Sequence, residues 1–476
     1  MQFTRLKVGL FGIGLDVYWD QFEGLKSRLL GYMQQVHGRL EGSGADIVNL
    51  GLIDTVDQAM EAGHRFRQAD VDIIFLYVTT YALSATVLPV VQRAKVPVIV
   101  LNLAPEASID YAYFNGLRNR HDMTGEWLAY CSACPVPELA NALIRSGIRF
   151  EQVTGVLDET DECWVEVAEW VEAAKVAHAM GHNRLGAMGT YYSGMLDIYT
   201  DITLQLVTFG GHIEHLEVDE LSALRKAVAP GQIRERVADF RTAFDVWPDC
   251  SSDELARAAR TSLALDQLVA TYQLGSLAYY YKGRGILENE DTMSSIILGS
   301  TYLTAKGIPV AGEYEIKNAQ AMKIMDSFGA GGSFTEYYAM DFEDDVVLMG
   351  HDGPGHFRIA EGKIKVKPLK VYHGKVGNGL SVEMSVKYGP VTLLSVVEDG
   401  KGKLFFLVAE AESVPGPILE IGNTNSRYRF PIGARRFVEN WNSYGPAHHC
   451  AVGTGHIARK IEKLGKLLQV ETVKIC

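Results

Sequence analysis

The run Lys7–Ile13, KVGLFGI, is short, apolar and built from residues that favour extended backbone, and a polar stretch through Asp16 and Asp20 follows it directly. Similar runs recur at Ala45–Leu52 (ADIVNLGL), Val71–Val78 (VDIIFLYV) and Val96–Leu103 (VPVIVLNL). Continuous apolar runs of this length, bounded by polar segments, read as strands covered on both faces. Between them, Asp20–Leu40 and Val56–Gln68 carry helical periodicity. Strands alternating with helices predict a doubly wound, parallel α/β domain, whose ligands bind beyond the carboxyl ends of the strands.

Further along, a helical segment over Val165–Met180 leads to a second set of the same kind. Arg184–Met188 and His212–Leu216 are strand-like, and Asp197–Phe209, Asp253–Tyr272 and Thr292–Lys306 are patterned as helices. From about Gly331 the texture changes to short strands separated by glycine-rich turns: Val346–Met349, Ile364–Val371, Leu380–Val386, Val391–Val397 and Leu404–Ala409. That spacing predicts an antiparallel β-barrel or sandwich. The expected division is therefore an N-terminal α/β domain (1–180), a central α/β domain (181–328) and a C-terminal β-rich domain (329–476).

Composition bounds the partners. Of 476 residues 47% are hydrophobic and 22% charged, which supports folded cores and excludes disorder. A formal charge of -13, from 58 acidic and 45 basic residues, repels phosphate backbones and anionic lipid, so neither nucleic acid nor membrane is expected as a partner. Lys363, Lys365, Lys367 and Lys370 alternate with Ile364, Val366 and Leu369 for most of their length, as on the solvent face of a strand. The N-terminal run has no signal-peptide pattern and no apolar run is long enough to span a bilayer, so the expected compartment is the cytoplasm. Cys131, Cys134, Cys163, Cys250, Cys450 and Cys476 are too scattered for a disulfide framework. The one CxxC, Cys131 and Cys134, stands before a helical pattern without a second ligand pair, and its cysteines read as packing residues.

Three places could carry chemistry. Gly12-Ile13-Gly14 lacks the third glycine and the acidic partner of a dinucleotide fingerprint, and reads as a tight turn beside a cleft lined by Asp16, Tyr18, Asp20 and Gln21. Gly329-Ala330-Gly331-Gly332-Ser333 lacks the lysine and frame of a phosphate-binding loop, and reads as a flexible domain connection. The third set is stronger because carboxylates and imidazoles stand where strand-like runs end. Glu313 follows Ile308–Ala311, Glu336 follows Ser333–Thr335, His351 follows Val346–Gly350, and His449 lies in Gly445-Pro446-Ala447-His448-His449-Cys450. Two carboxylates with two imidazoles suit Mn²⁺, Co²⁺, Fe²⁺ or Zn²⁺. Spacing alone does not unite them, and on composition alone unrelated surface acids and core histidines would be the simpler reading.

Taken in order, Gly312-Glu313-x-x-x-Lys317, Gly331-Gly332-Ser333-Phe334-x-Glu336-x-Tyr338, Gly350-His351 and Ala447-His448-His449 resemble the signature of the L-arabinose isomerase family. Pro137–Gly155 and Asp201–Gly211 extend the resemblance over most of the chain. It implies an aldose–ketose isomerase acting on a free sugar through an enediol, with a divalent metal, usually Mn²⁺. Glu313, Glu336, His351 and His449 would be the metal ligands, and Glu313 and Glu336 the acid/base pair. It also implies two α/β domains followed by a β-rich one, and a trimer-based hexamer with sites between subunits.

The chain departs from that family in its sugar-facing motifs. After the first strand the family's Gly-Ser-Gln-His-Leu-Tyr-Gly type motif is replaced by Gly12-Ile13-Gly14-Leu15-Asp16-Val17-Tyr18-Trp19. A histidine-rich stretch gives way to Tyr130-Cys131-Ser132-Ala133-Cys134, and Tyr337 replaces the acidic residue after Glu336. Asp16, Tyr18, Tyr81 and Tyr337 are accordingly the expected contacts to the distal hydroxyls, and another pentose, a hexose or a deoxysugar competes with L-arabinose. The rival functions are an L-fucose isomerase-like or epimerase activity on another sugar, and a non-catalytic sugar-binding protein. Of the other histidines, His356 is set apart by its closeness in sequence to His351, and His448 is expected to point away from the face that His449 presents.

Overall fold

The computed structural model describes residues 5–370 and 377–476. Val371, at the end of an expected strand, and His373 lie outside the described residues. The chain separates into two compact units, 2–178 and 179–476.

In the first unit, β1 (Lys7–Ile13), β2 (Asp46–Ile53), β3 (Ile73–Tyr77), β4 (Val98–Ala104) and β5 (Phe150–Val156) form one parallel sheet in the order β2-β1-β3-β4-β5. Every residue of β3 is buried, as the unbroken apolar run requires. The order reverses between β1 and β3, so the crevice of this sheet opens where the loops after those two strands diverge. Asp16, Tyr18 and Tyr81 lie in those loops. Tyr18 and Tyr81 join Trp19, Phe22 and Tyr32 over a small core of Leu25, Leu29, Leu128 and Ala129. Of the CxxC cysteines only Cys131 is buried; Cys134 is exposed.

The second unit contains a parallel sheet of β6 (Arg184–Gly189), β7 (His212–Leu216), β9 (Ser276–Tyr280) and β10 (Val310–Ala311) in the order β10-β9-β6-β7. β8 (Asp245–Val246) leaves this sheet and pairs instead with β13 (Lys365–Lys370), which is antiparallel to β14 (Asn378–Glu383). Lys365 and Lys367 of the lysine run stand on β13, the central strand of that three-stranded sheet. Lys365 and Lys367 reach Glu383 at 3.3 and 2.7 Å, and Lys367 stands 4.2 Å over the Trp247 ring.

The remaining strands close on themselves. β11 (Gly331–Asp341), β12 (Val346–His351), β15 (Gly389–Glu398), β16 (Leu404–Val414), β17 (Thr424–Arg429) and β18 (His449–Thr454) run antiparallel in the cyclic order β15-β18-β11-β12-β17-β16. Pairing of β15 with β16 completes the ring, and β19 (Glu471–Lys474) adds to β16 in parallel. A closed antiparallel barrel is thus the form that the β-rich segment takes. One apolar core runs from the helices Pro230–Ala243 and Ser252–Tyr272 through Val366, Leu380 and Val382 to Leu393, Leu407 and Val452, which ties the central α/β elements and the barrel into a single compact unit.

Local chemistry explains where elements depart from the sequence reading. The helix expected over Thr292–Lys306 is two helices, Leu287–Ser294 and Ile297–Thr304. At the break Ser295 Oγ donates to the carbonyls of Asp291 and Thr292 at 2.9 and 3.1 Å, a side-chain bond that competes with the helical ladder. The helix expected from Asp197 begins only at Ile202, because Asp201 caps it by accepting from Thr203 and Leu204. Asp197 is left in a separate turn, Leu196–Ile198.

Gly329–Ser333 is not the flexible connection that its composition suggested. Gly331 and Gly332 are buried at the start of β11, with φ of 93° and 118°. A Cβ on Gly332 would stand 2.6 Å from the Met322 carbonyl of the helix Ile316–Ser327, so only glycine lets that helix lie against the barrel. Gly332→Ala is expected to lower the unfolding free energy by about 1–3 kcal/mol, from the backbone conformation and the collision together. Urea unfolding followed by circular dichroism checks this.

Candidate metal centre

The site forms where the carboxyl end of the central sheet meets the mouth of the barrel. β10 ends at Ala311, and Gly312–Glu315 then turns into the helix Ile316–Ser327. Glu313 and Tyr314 both adopt left-handed backbone, with φ of 59° and 63°, and Glu315 N donates to the Gly312 carbonyl at 3.0 Å. Two consecutive left-handed residues closed by such a bond make a turn that usually calls for Asn-Gly. Here a glutamate and a tyrosine hold it, at a cost of about 1–3 kcal/mol each. The surroundings impose the shape: Tyr314 N donates to the Tyr279 carbonyl at 2.9 Å, Tyr314 Oη lies 3.1 Å from His215 Nδ1, and its ring packs edge-on at 4.8 Å against Tyr191.

The barrel supplies the other groups through its register. β11 lies between β12 and β18, with Glu336 opposite Gly350 on one side and His449 on the other. His351, next to Gly350, closes β12 opposite Thr424, whose hydroxyl accepts from His351 N at 2.9 Å and donates to its carbonyl at 3.1 Å. Phe334 is fully buried against both imidazoles, 4.4 Å from the His351 ring and 4.3 Å from the His449 ring.

These positions bring the four expected residues together. His449 Nε2 is 3.5 Å from Glu313 Oε2, and His351 Nε2 is 3.9 Å from Glu313 Oε1. His448 joins them, contrary to the expectation that it points away: its Nε2 lies 3.7 Å from Glu313 and 3.9 Å from Glu336. Strand alternation does not apply, because β18 starts at His449 and His448 belongs to the bend before it. Asp197 fixes that bend, accepting from His448 N at 2.9 Å and contacting its Nδ1 at 2.6 Å, while Lys317 Nζ donates to the Asp197 carbonyl at 2.6 Å. One ligand atom each from Glu313, His448 and His449 lies within 4.8 Å of the other two.

The electrostatics favour a cation. Burial pushes the Glu336 carboxyl up to about 7, with the Glu313 and Asp352 charges adding to it and His448 opposing. Burial also works against the His448 imidazolium, but its contact with Asp197 outweighs this and its pKa lies above the ordinary value. Glu313 Oε2 and His449 Nε2 are buried, face one another and have no hydrogen-bond partner among the described residues. Two electron-pair donors in that state fit a shared divalent ion, which would supply the charge that burial has removed.

Sequence reasoning missed Glu315. Its carboxylate is fully buried and contacts His449 Nδ1 at 2.5 Å, which leaves Nε2 as the ring atom turned toward Glu313. A carboxylate behind a metal-binding imidazole is the usual way of fixing ring orientation and tautomer. Its spacing of two from Glu313 was visible, but nothing local shows that it would be buried. Burial drives the Glu315 carboxyl up and the His449 imidazole down. Asp352, Tyr338 and Asn423 were missed too. They line the cavity of about 330 Å³ that opens on Glu313, Glu336 and His351. Tyr337, an expected sugar contact, points elsewhere. It alternates with Glu336 and Tyr338 along β11, and its ring meets Phe437 at 6.1 Å in the barrel core. Asp16, Tyr18 and Tyr81 belong to the unit 2–178, whereas the cavity's described lining comes from 179–476.

Comparison with known proteins gives a consistent picture. Residues 331–471 match the family model for the L-arabinose isomerase C-terminal domain. The L-arabinose isomerases of two Bifidobacterium longum strains are each 22% identical over 352 residues, covering 71% of this chain and 68% of theirs. The L-arabinose isomerase of Clostridium beijerinckii is 24% identical over 191 residues, covering 39% of this chain and 38% of its own.

Replacing Glu315 tests its part in the centre. Glu315→Leu leaves His449 Nδ1 buried without a partner and is expected to cost about 1–3 kcal/mol of stability. Glu315→Gln keeps an acceptor and should restore most of it, as chemical denaturation of the two variants would show.

Proposed function

From the match to the L-arabinose isomerase C-terminal domain and to the L-arabinose isomerases above, we propose that the chain is a member of that family and a metal-dependent aldose–ketose isomerase acting on a free sugar. The observation that carries this reading is the convergence of Glu313 from the central sheet with Glu336 and His351 from the barrel around one cavity, with His449 buried against Glu313 and two donor atoms there left without a hydrogen bond among the described residues. Those four residues, with His448 beside them, would hold a divalent cation, Mn²⁺ being the first choice. Such a cation, when bound, supplies Lewis acidity and a template for the oxygens at C1 and C2.

The chain's own groups account for the proton movements. Isomerisation takes a proton from C2, returns one to C1, and shifts another between O1 and O2. Glu313 and Glu336 divide the acid and base roles, one carboxylate accepting while the other, protonated, donates. Burial on the barrel wall holds the Glu336 carboxyl up, while the constrained turn aims Glu313 into the same cavity. His448, within 4 Å of both, is placed to balance charge between them. Tyr338, which accepts from Asn423 Nδ2 at 3.2 Å, and Tyr192 offer hydroxyl partners in the cavity lining. The L-arabinose isomerases that the chain resembles make L-arabinose the first sugar to test.

The decisive experiment incubates chelator-stripped and Mn²⁺- or Co²⁺-reloaded protein with a panel of pentoses, hexoses and deoxysugars in D₂O, following C2 deuteration and ketose formation by NMR. Exchange is expected with metal and should vanish without it, and Glu313→Gln or Glu336→Gln should lower it by roughly 10²–10⁴-fold with the fold intact. Absence of exchange with every sugar, or full activity in either variant, would overturn the reading.

A further inference from the structure

The lining of the cavity says more about the substrate than the reacting groups do. Its polar groups are Glu313, Glu336, His351, His448 and Asp352, followed by Tyr192, Tyr338 and Asn423. The rest of the described lining is apolar: Met195, Ile297, Leu369 and Leu380, with Gly379. These apolar residues form a connected surface. Leu369 on β13 pairs with Gly379 on β14, beside Leu380, and the helix that Ile297 opens packs on β14. Leu380 is almost fully buried and anchored in the core, and Ile297 packs against that core. Met195 extends the lining from the loop after β6. None of the four side chains offers a hydrogen-bond donor or a strong acceptor.

A sugar with C1 and C2 at the carboxylates directs its far carbons into the remainder of this space. The tyrosines and Asn423 can partner hydroxyls along the chain, but a terminal hydroxyl against Ile297, Leu369 and Leu380 would lose its water and find no partner in those side chains, whereas a methyl group there buries apolar surface. Resting on the isomerase reading, we propose that the cavity selects a 6-deoxyhexose, a sugar ending in a methyl group, over the hexose of the same configuration. An apolar wall rejects an added hydroxyl only moderately, so the preference is about ten- to a hundredfold.

The test measures binding rather than turnover. Isothermal titration of the Mn²⁺-loaded protein compares two pairs of open-chain alcohols, L-fucitol against galactitol and L-rhamnitol against L-mannitol, which differ only in the terminal hydroxyl. In the pair whose configuration fits, the deoxy member is expected to bind at least about tenfold more tightly. Leu369→Gln or Met195→Gln, both at half-buried positions, should bring that ratio toward one by giving the hydroxyl a partner. Equal or tighter binding of the full hexitol, or a ratio unmoved in two folded variants, overturns the inference. So does binding of neither pair while another sugar exchanges its C2 hydrogen, which leaves the isomerase reading standing. If no sugar exchanges at all, that reading fails and this inference with it.

Discussion

The contact between Glu315 and His449 links the two halves of the centre. Glu315 ends a turn that belongs to the central sheet, and His449 begins a strand of the barrel, so one buried hydrogen bond fixes the register between two differently built layers. Both side chains are removed from water, where a polar group without its partner is expensive, and each therefore depends on the other being in place. Phe334 adds a rigid apolar plate behind both imidazoles. The positions of Glu313, His351 and His449 thus follow from packing, and no flexible loop has to close to bring them together.

The same logic accounts for the strained turn. Left-handed backbone at both Glu313 and Tyr314 is unfavourable locally, and it persists because Tyr279, His215 and Tyr191 hold Tyr314 from outside the turn. Strain that cooperating neighbours over-determine is characteristic of places where a side chain must be aimed. In this case the aimed group is the carboxylate of Glu313, which reaches both His351 and His449.

Much of the architecture was legible in the sequence. The parallel strands announced themselves because strands covered on both faces need unbroken apolar runs, as β3 shows. Two barrel strands, β17 and β18, escaped notice and β11 was read only as the short run Ser333–Thr335, because they carry polar residues where a core strand is expected to be apolar: Thr335 and Glu336, the run TNSRYR, and His449 itself. Those residues face the site or bond to neighbouring strands, so the features that hid the strands are the ones that give the barrel its chemistry. The ordered motifs located Glu313, Glu336, His351 and His449, but Glu315 depends on tertiary burial that no local pattern encodes. Recognising β11 would have turned Tyr337 away from the cavity and brought in Tyr338, by alternation alone.

The separation of the centre's parts along the chain also bears on how the protein comes to be. His449 lies 134 residues beyond Glu315, with most of the barrel between them. During synthesis Glu313 and Glu315 are made well before His448 and His449 exist, and closing so long a loop is slow. On the isomerase reading, a cation met before then would find carboxylates without these nitrogen ligands, so metal capture would be a late event that reports on completion of the barrel.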